Sequence, residues 1–143
     1  RLACVAAFLD RRRMTDAEKI EFARRFFAAV ERGDLDTVRS LYAPDAKIWT
    51  AQDPAERSPE ENLAVLTWVK ENVRDFRYEE VRCQPTPTGF VEQHVTSGTA
   101  PGGGQFRFPA CLVVRVENGK VTRLDEYFDT APLMAAMSQV QAG

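Results

Sequence analysis

The hydrophobic period of the chain changes once, near Asp75, and that change limits the fold more than any other feature. Before it, apolar residues recur three and four apart. Ile20, Ala23, Phe26, Phe27 and Val30 form one set, Leu35, Val38, Leu41 and Tyr42 a second, and Leu63, Leu66, Val69 and Val73 a third. Each set lines one face of a helix. After Asp75 apolar and polar residues alternate, which sends successive side chains to opposite faces of a strand. Helices first and strands afterwards indicate an α+β domain, with one sheet covering the apolar faces of the helices.

Local signals bound these elements. Thr15-Asp16-Ala17-Glu18 reads as a capping box, in which Thr15 accepts from the third helical N–H and Glu18 reaches back to the cap. Gly33 ends that helix, Asp34 caps a second, and Pro44-Asp45 stops it. Residues 47–50 read as a short strand and 51–57 as a polar loop. Ser58-Pro59-Glu60-Glu61 opens the third helix with a cap, a proline at the first position and a glutamate at the third. Strands are expected at 76–84, 89–99, 105–117 and 120–129. Between them lie the turn 85–89, a glycine-rich hairpin loop at 100–104 and the two-residue turn Asn118-Gly119. Residues 132–140 read as a last short helix. Residues 1–13 read as an extension, with Met14 a plausible start and 14–143 as one domain.

Composition removes several classes of function. Nineteen basic and 21 acidic residues give a net charge of −2, with no electrostatic drive toward nucleic acid or an anionic membrane. No apolar run reaches the roughly 18 residues of a membrane span. Cys4, Cys83 and Cys111 are an odd number without close spacing, which suits a reducing cytoplasm better than a disulfide framework. One histidine, His94, cannot build a multi-histidine metal site within one chain, and no metal site is expected; no cofactor is expected either. Gly102-Gly103-Gly104 lacks the lysine and following helix of a phosphate loop.

The segments Phe26-Phe27-Ala28-Ala29-Val30, Gly33-Asp34-Leu35-Asp36 and Leu41-Tyr42-Ala43-Pro44-Asp45-Ala46 resemble the opening of the nuclear transport factor 2-like superfamily. The run from Val116-Glu117-Asn118-Gly119 through Glu126-Tyr127-Phe128-Asp129 resembles its ending. Within it the chain is most similar to SnoaL-like proteins. The resemblance implies a cone: a curved antiparallel sheet wrapped around three helices, in the cystatin-like manner, with a deep apolar pocket. It also implies a small hydrophobic ligand and a homodimer joined through the outer sheet face. Relatives include polyketide cyclases, ketosteroid isomerase and limonene epoxide hydrolase, so fold alone does not fix the reaction.

Site residues discriminate further. Alignment with the isomerase puts Phe26, Thr50 and the Cys111–Leu112 region where a tyrosine and two aspartates act, so that mechanism is not expected. Alignment with the hydrolase keeps one acid, Glu126, just before Tyr127-Phe128-Asp129. Its Arg-x-Asp pair should lie on the 89–99 strand, where Glu92-Gln93-His94-Val95-Thr96-Ser97 holds neither arginine nor aspartate. Cyclases of this family need an acid–base group on the late strands, and here Glu126 and His94 are the candidates.

Glu126 shares a strand face with Leu124 and Phe128, and a carboxylate on an apolar face is desolvated toward a pKa useful for proton transfer. His94 is the only imidazole and shares a face with Phe90, Glu92 and Thr96. The likeness to the hydrolase turns the odd positions, including Gln93, toward the pocket, and His94 outward unless a bulge near Gly98 reverses the facing. The resemblance puts Trp49 and Tyr42 at the pocket mouth, where Trp49 could stack on a planar ligand and the Tyr42 hydroxyl could donate to a carbonyl; core packing is the alternative for both. Asp53 is expected to be solvated. Arg107 should pair outward with Glu92 or Asp125, and Cys111 should behave as a small buried hydrophobe. These residues suit a cofactor-independent cyclase, isomerase or hydrolase. They suit equally a binding protein with the same pocket, or a structural dimer module whose pocket is filled.

Overall fold

The computed structural model describes residues 13–139. The extension expected at the N-terminus therefore lies outside the described residues, apart from Arg13. The chain forms α1 (Asp16–Glu31), α2 (Leu35–Leu41), β1 (Tyr42–Thr50), β2 (Asp53–Arg57), α3 (Pro59–Asn72), β3 (Arg74–Thr86), β4 (Gly89–Thr99), β5 (Gln105–Glu117), β6 (Lys120–Phe128) and α4 (Ala131–Ser138). Both capping boxes form as read. Thr15 accepts from the Glu18 N–H and Ser58 from the Glu61 N–H, and each glutamate returns a bond to its cap.

Three features differ from expectation. β1 begins at Tyr42, directly after α2, and buries Ala43 and Ala46 before the expected start at residue 47. The expected polar loop carries β2, a short edge strand paired antiparallel to β1, where Pro54 is tolerated because an edge leaves N–H groups unpaired. The sheet is mixed. Its order is β2-β1-β6-β5-β4-β3, and β6 inserts beside β1 in the same direction.

Curvature comes from β3, whose pairing with β4 is interrupted twice, between Arg74 and Arg77 and between Glu79 and Arg82. Asp75 and Glu80 sit at those interruptions with φ of 53° each, a bulge geometry that bends a strand. β4 pairs with β5 without a break from Gly89 to Thr99. Gly98 there has no room for a side chain. A Cβ would lie 2.7 Å from the Phe106 ring and 2.8 Å from Val73.

The bent sheet closes over α1. Phe22, Ala23, Phe26, Phe27 and Val30 of that helix are buried, and the rings of Phe22 and Phe27 each lie 6.3 Å from that of Phe90 on β4. Val38, Leu41, Ile48, Leu112, Val114, Val121 and Leu124 complete the core. No described helix is long and apolar enough to cross a membrane.

Candidate functional site

Register decides which side chains meet. Antiparallel neighbours put directly opposed residues on the same face. Glu92 pairs with Leu112 and Leu112 with Glu126, while Thr50 of β1 pairs with Glu126 from the other side. Glu92, Leu112, Glu126 and Thr50 thus form one row across four strands. The adjacent row is His94, Ala110 and Phe128, and the next contains Tyr78, Thr96 and Phe108. All three rows face the helices.

Beneath one end of these rows lies a cavity of about 210 Å³, enclosed by α3, α4 and the inner sheet face. Leu66 and Val69 of α3, Leu133 and Met137 of α4, and Phe76, Phe106, Phe108 and Phe128 of the sheet make it apolar. Trp68 and Val65, both exposed, stand at its rim. Polar groups enter at few points: Glu126, Tyr78, Thr96, Thr50, Asn62 and Arg57, with Gln52 at the edge. The volume exceeds the roughly 150 Å³ of an apolar cavity that holds benzene, so it admits one ring with a short substituent.

The Glu126 carboxylate accepts no hydrogen bond from any described residue, although its backbone carbonyl receives the Ala51 N–H at 3.0 Å. Burial pushes its pKa up, and positive charge on His94 opposes that rise. Tyr78 also borders the cavity. Burial first, and then the negative charge of Glu126, push its phenol well above the ordinary range. Arg57 is spoken for, donating to Asp53 Oδ2 at 3.2 Å and to Thr50 Oγ1 at 3.3 Å.

At the other end of the same row the environment is sealed. Glu92 Oε2 lies 2.7 Å from His94 Nδ1, and both side chains are 1% exposed. The imidazole is stacked on Tyr78, with ring centroids 4.2 Å apart, and takes the edge of Phe27 at 5.3 Å. Burial raises the Glu92 pKa, and the bond to His94 works against it.

Among the described residues no group of histidine, cysteine and carboxylate side chains is arranged to hold a metal ion.

The model of the SnoaL-like domain matches residues 23–124. The chain belongs to the SnoaL-like family. No curated protein matches its sequence. Among solved structures it resembles a polyketide cyclase candidate from Xanthomonas campestris pv. campestris, with TM-score 0.72 and 19% identity over 85% of this chain and 96% of that one. It also resembles an LEH-like epoxide hydrolase from M. tuberculosis, with TM-score 0.71 and 18% identity over 89% and 94%. A third neighbour, from Catenulispora acidiphila, has a ketosteroid isomerase-like fold and was solved with trimethylamine, with TM-score 0.73 and 14% identity over 82% and 92%. These TM-scores establish a shared fold.

In this SnoaL-like chain the residues singled out from sequence separate into three groups. Glu126 and Phe128 border the cavity. Leu124 and Tyr42 face inward but are buried in the core beside it, and the Tyr42 hydroxyl donates to Asn62 Oδ1 at 2.8 Å instead of standing free for a ligand. His94 also faces inward, behind Tyr78. The expected facing of β4 is reversed, because its unbroken pairing with β5 keeps Phe90, Glu92, His94 and Thr96 together against the helices.

Gln93 and Trp49 lie on the outer face. Gln93 borders a shallower and more open groove of about 610 Å³, together with Pro109, Cys111 and Tyr127. Trp49 packs on Tyr127 with centroids 5.0 Å apart, since Ile48 takes the inward position on β1. Arg107 points outward but pairs with Glu79 at 3.3 Å and Glu80 at 3.8 Å, not with Glu92 or Asp125. Asp53 pairs with Arg57, and Cys111 is half-buried on the outer face.

Sequence reasoning did not select Tyr78, Asn62 or Arg57 as cavity residues. Tyr78 lies on a strand whose two bulges break the alternation that would reveal its facing. Asn62 carried the one available signal, a polar residue beside Leu63 on the inner side of α3.

Proposed function

We propose that this chain is an acid–base enzyme, without a cofactor, that moves a proton on a small apolar molecule bearing a carbonyl group. The observation that supports this most is the Glu126 carboxylate, unpartnered at the wall of an apolar cavity. Desolvation raises its pKa above the ordinary carboxyl range, the direction that strengthens a carboxylate as a base. The carboxylate takes a proton from the carbon next to the carbonyl, and the enolate oxygen gains negative charge. The Tyr78 phenol, held protonated by its own raised pKa, donates to that oxygen. The carboxylic acid formed at Glu126 then returns the proton at the same carbon or elsewhere. Cyclase and isomerase outcomes share this first step. A hydrolase would use the same group to activate water.

Proton exchange tests the reading without knowledge of the natural substrate. Acetophenone in D2O, followed by NMR, should lose its methyl protons faster with the protein than without it. Glu126→Gln should reduce that acceleration by roughly 10²-fold or more, the usual contribution of a general acid–base group. Ketone binding should change little. Exchange that survives the substitution would remove Glu126 from the mechanism.

We further infer a homodimer joined through the outer sheet face, where Val81, Val113 and Tyr127 are exposed beside Trp49. Sedimentation should give twice the chain mass, and Val113→Lys should shift it toward the monomer.

A further inference from the structure

Tyr42 and Asn62 form a buried pair from two different elements. Tyr42 opens β1 and Asn62 lies in the first turns of α3. The Tyr42 hydroxyl donates to Asn62 Oδ1 at 2.8 Å, with Tyr42 5% and Asn62 9% exposed. The Phe26 ring meets the Tyr42 ring edge-on at 5.5 Å and holds it in place. A primary amide has one acceptor oxygen and one donor nitrogen. With the oxygen occupied by Tyr42, the Asn62 Nδ2 hydrogens have no described protein acceptor, and Asn62 borders the cavity.

We propose that Asn62, oriented by Tyr42, is the fixed donor that selects ligands with an acceptor oxygen, and so restricts the cavity to carbonyl-type molecules. This rests on the reading of the cavity as a ligand site, but not on proton transfer by Glu126. An amide that can rotate accepts or donates equally well. An amide whose oxygen is held by the Tyr42 hydroxyl is fixed in orientation and leaves its two N–H groups as donors. A buried donor left without a partner is costly, so the site discriminates against an isostere that lacks the oxygen. Tyr42 is accordingly a positioning residue, acting through Asn62 and not on the ligand.

The test compares two probes of nearly the same shape, acetophenone and α-methylstyrene, in which a methylene replaces the carbonyl oxygen. Their dissociation constants are measured by NMR titration for the parent protein and for Asn62→Leu, Asn62→Asp, Tyr42→Phe, Glu126→Gln and Gln93→Ala. The ratio of the two affinities cancels their different hydrophobicity. Asn62→Leu should lower the acetophenone preference about tenfold, the effect of one buried hydrogen bond. Asn62→Asp keeps an acceptor for Tyr42 but offers no N–H to the ligand. It should lower the preference similarly in a variant of unchanged size, which covers the case in which the leucine variant fails to fold.

Gln93→Ala, on the outer sheet face, serves as the control and should leave the preference within about twofold. The infrared C=O stretch of bound acetophenone should move to higher frequency in both Asn62 variants, and also in Tyr42→Phe, where the amide is free to turn. A purely packing role for Tyr42 would not move that band. An unchanged preference and band in Asn62→Asp would overturn the inference, and so would failure of acetophenone to bind the parent protein. Proton exchange that survives Glu126→Gln, with the preference intact, would overturn the catalytic reading and leave this one standing.

Discussion

Glu92 and Glu126 occupy one row of the sheet on either side of Leu112, two strands or about 10 Å apart, yet the fold treats them in opposite ways. Glu92 is sealed, with His94 at 2.7 Å, and that imidazole in turn lies against Tyr78 and against Phe27 of α1. Glu126 has no hydrogen-bond partner for its carboxylate and opens onto the cavity. Burial raises both pKa values, but only at Glu92 does a direct hydrogen bond oppose the rise. The difference separates a structural carboxyl group from an available one. At Glu92 a bonded imidazole partly opposes the cost of burial and ties the group into the interior. At Glu126 no such bond forms, which is what the proposed proton transfer requires.

The contrast can be broken first at its sealed end. Glu92→Ala leaves His94 buried without its partner. The usual cost of removing one member of a buried pair is about 3–5 kcal/mol, to be read from urea denaturation. Replacing both members with apolar residues, Glu92→Leu with His94→Phe, should recover most of that loss, because two desolvated polar groups disappear together. A double variant as unstable as the single one would mean that the pair anchors the fold through more than mutual compensation.

The open end should respond with the opposite sign. A carboxyl group with a raised folded-state pKa binds more protons folded than unfolded between its two pKa values. Stability therefore falls as pH rises from the unfolded value near 4.3 through the folded one. Glu126→Gln removes that loss. Its melting temperature should exceed that of the parent at pH 7, and the two should converge below about pH 4. A variant less stable than the parent at pH 7 would show that Glu126 is compensated after all. Proton exchange would be lost in the same variant, so a gain in stability would accompany a loss of activity.

The smallest effect belongs to the neighbouring position on the other face. Gln93 separates Glu92 from His94 in sequence but lies on the outer side of the sheet. Gln93→Ala should change stability by less than about 0.5 kcal/mol and leave ketone exchange unaltered. A large effect on exchange would mean that the outer groove, and not the cavity, holds the ligand.

The fold was largely legible because its signals are local. The caps at Thr15, Asp34 and Ser58, the single change of period and the Asn118-Gly119 turn each act within a few residues. Alternation also put Leu124, Glu126 and Phe128 on one face, because β6 is regular there and pairs evenly with β5. The direction of a face was less accessible. Periodicity says that Gln93 and His94 point oppositely, not which of them meets the helices. For β2 the apolar signal was absent altogether, since an exposed edge strand buries little.

By itself, then, the sequence determined the order of the helices and of every strand but β2, the one strand face carrying Glu126, and the starts of α1 and α3, since propensity, capping and alternation are properties of neighbouring residues. Only the tertiary structure decided that Glu92 has His94 for a partner while Glu126 has none, that Tyr42 donates to Asn62, and that Trp49 lies outside. These depend on strand register and on which helix covers which row. Register is fixed by the sum of contacts across the sheet, and no short stretch of the chain carries that sum.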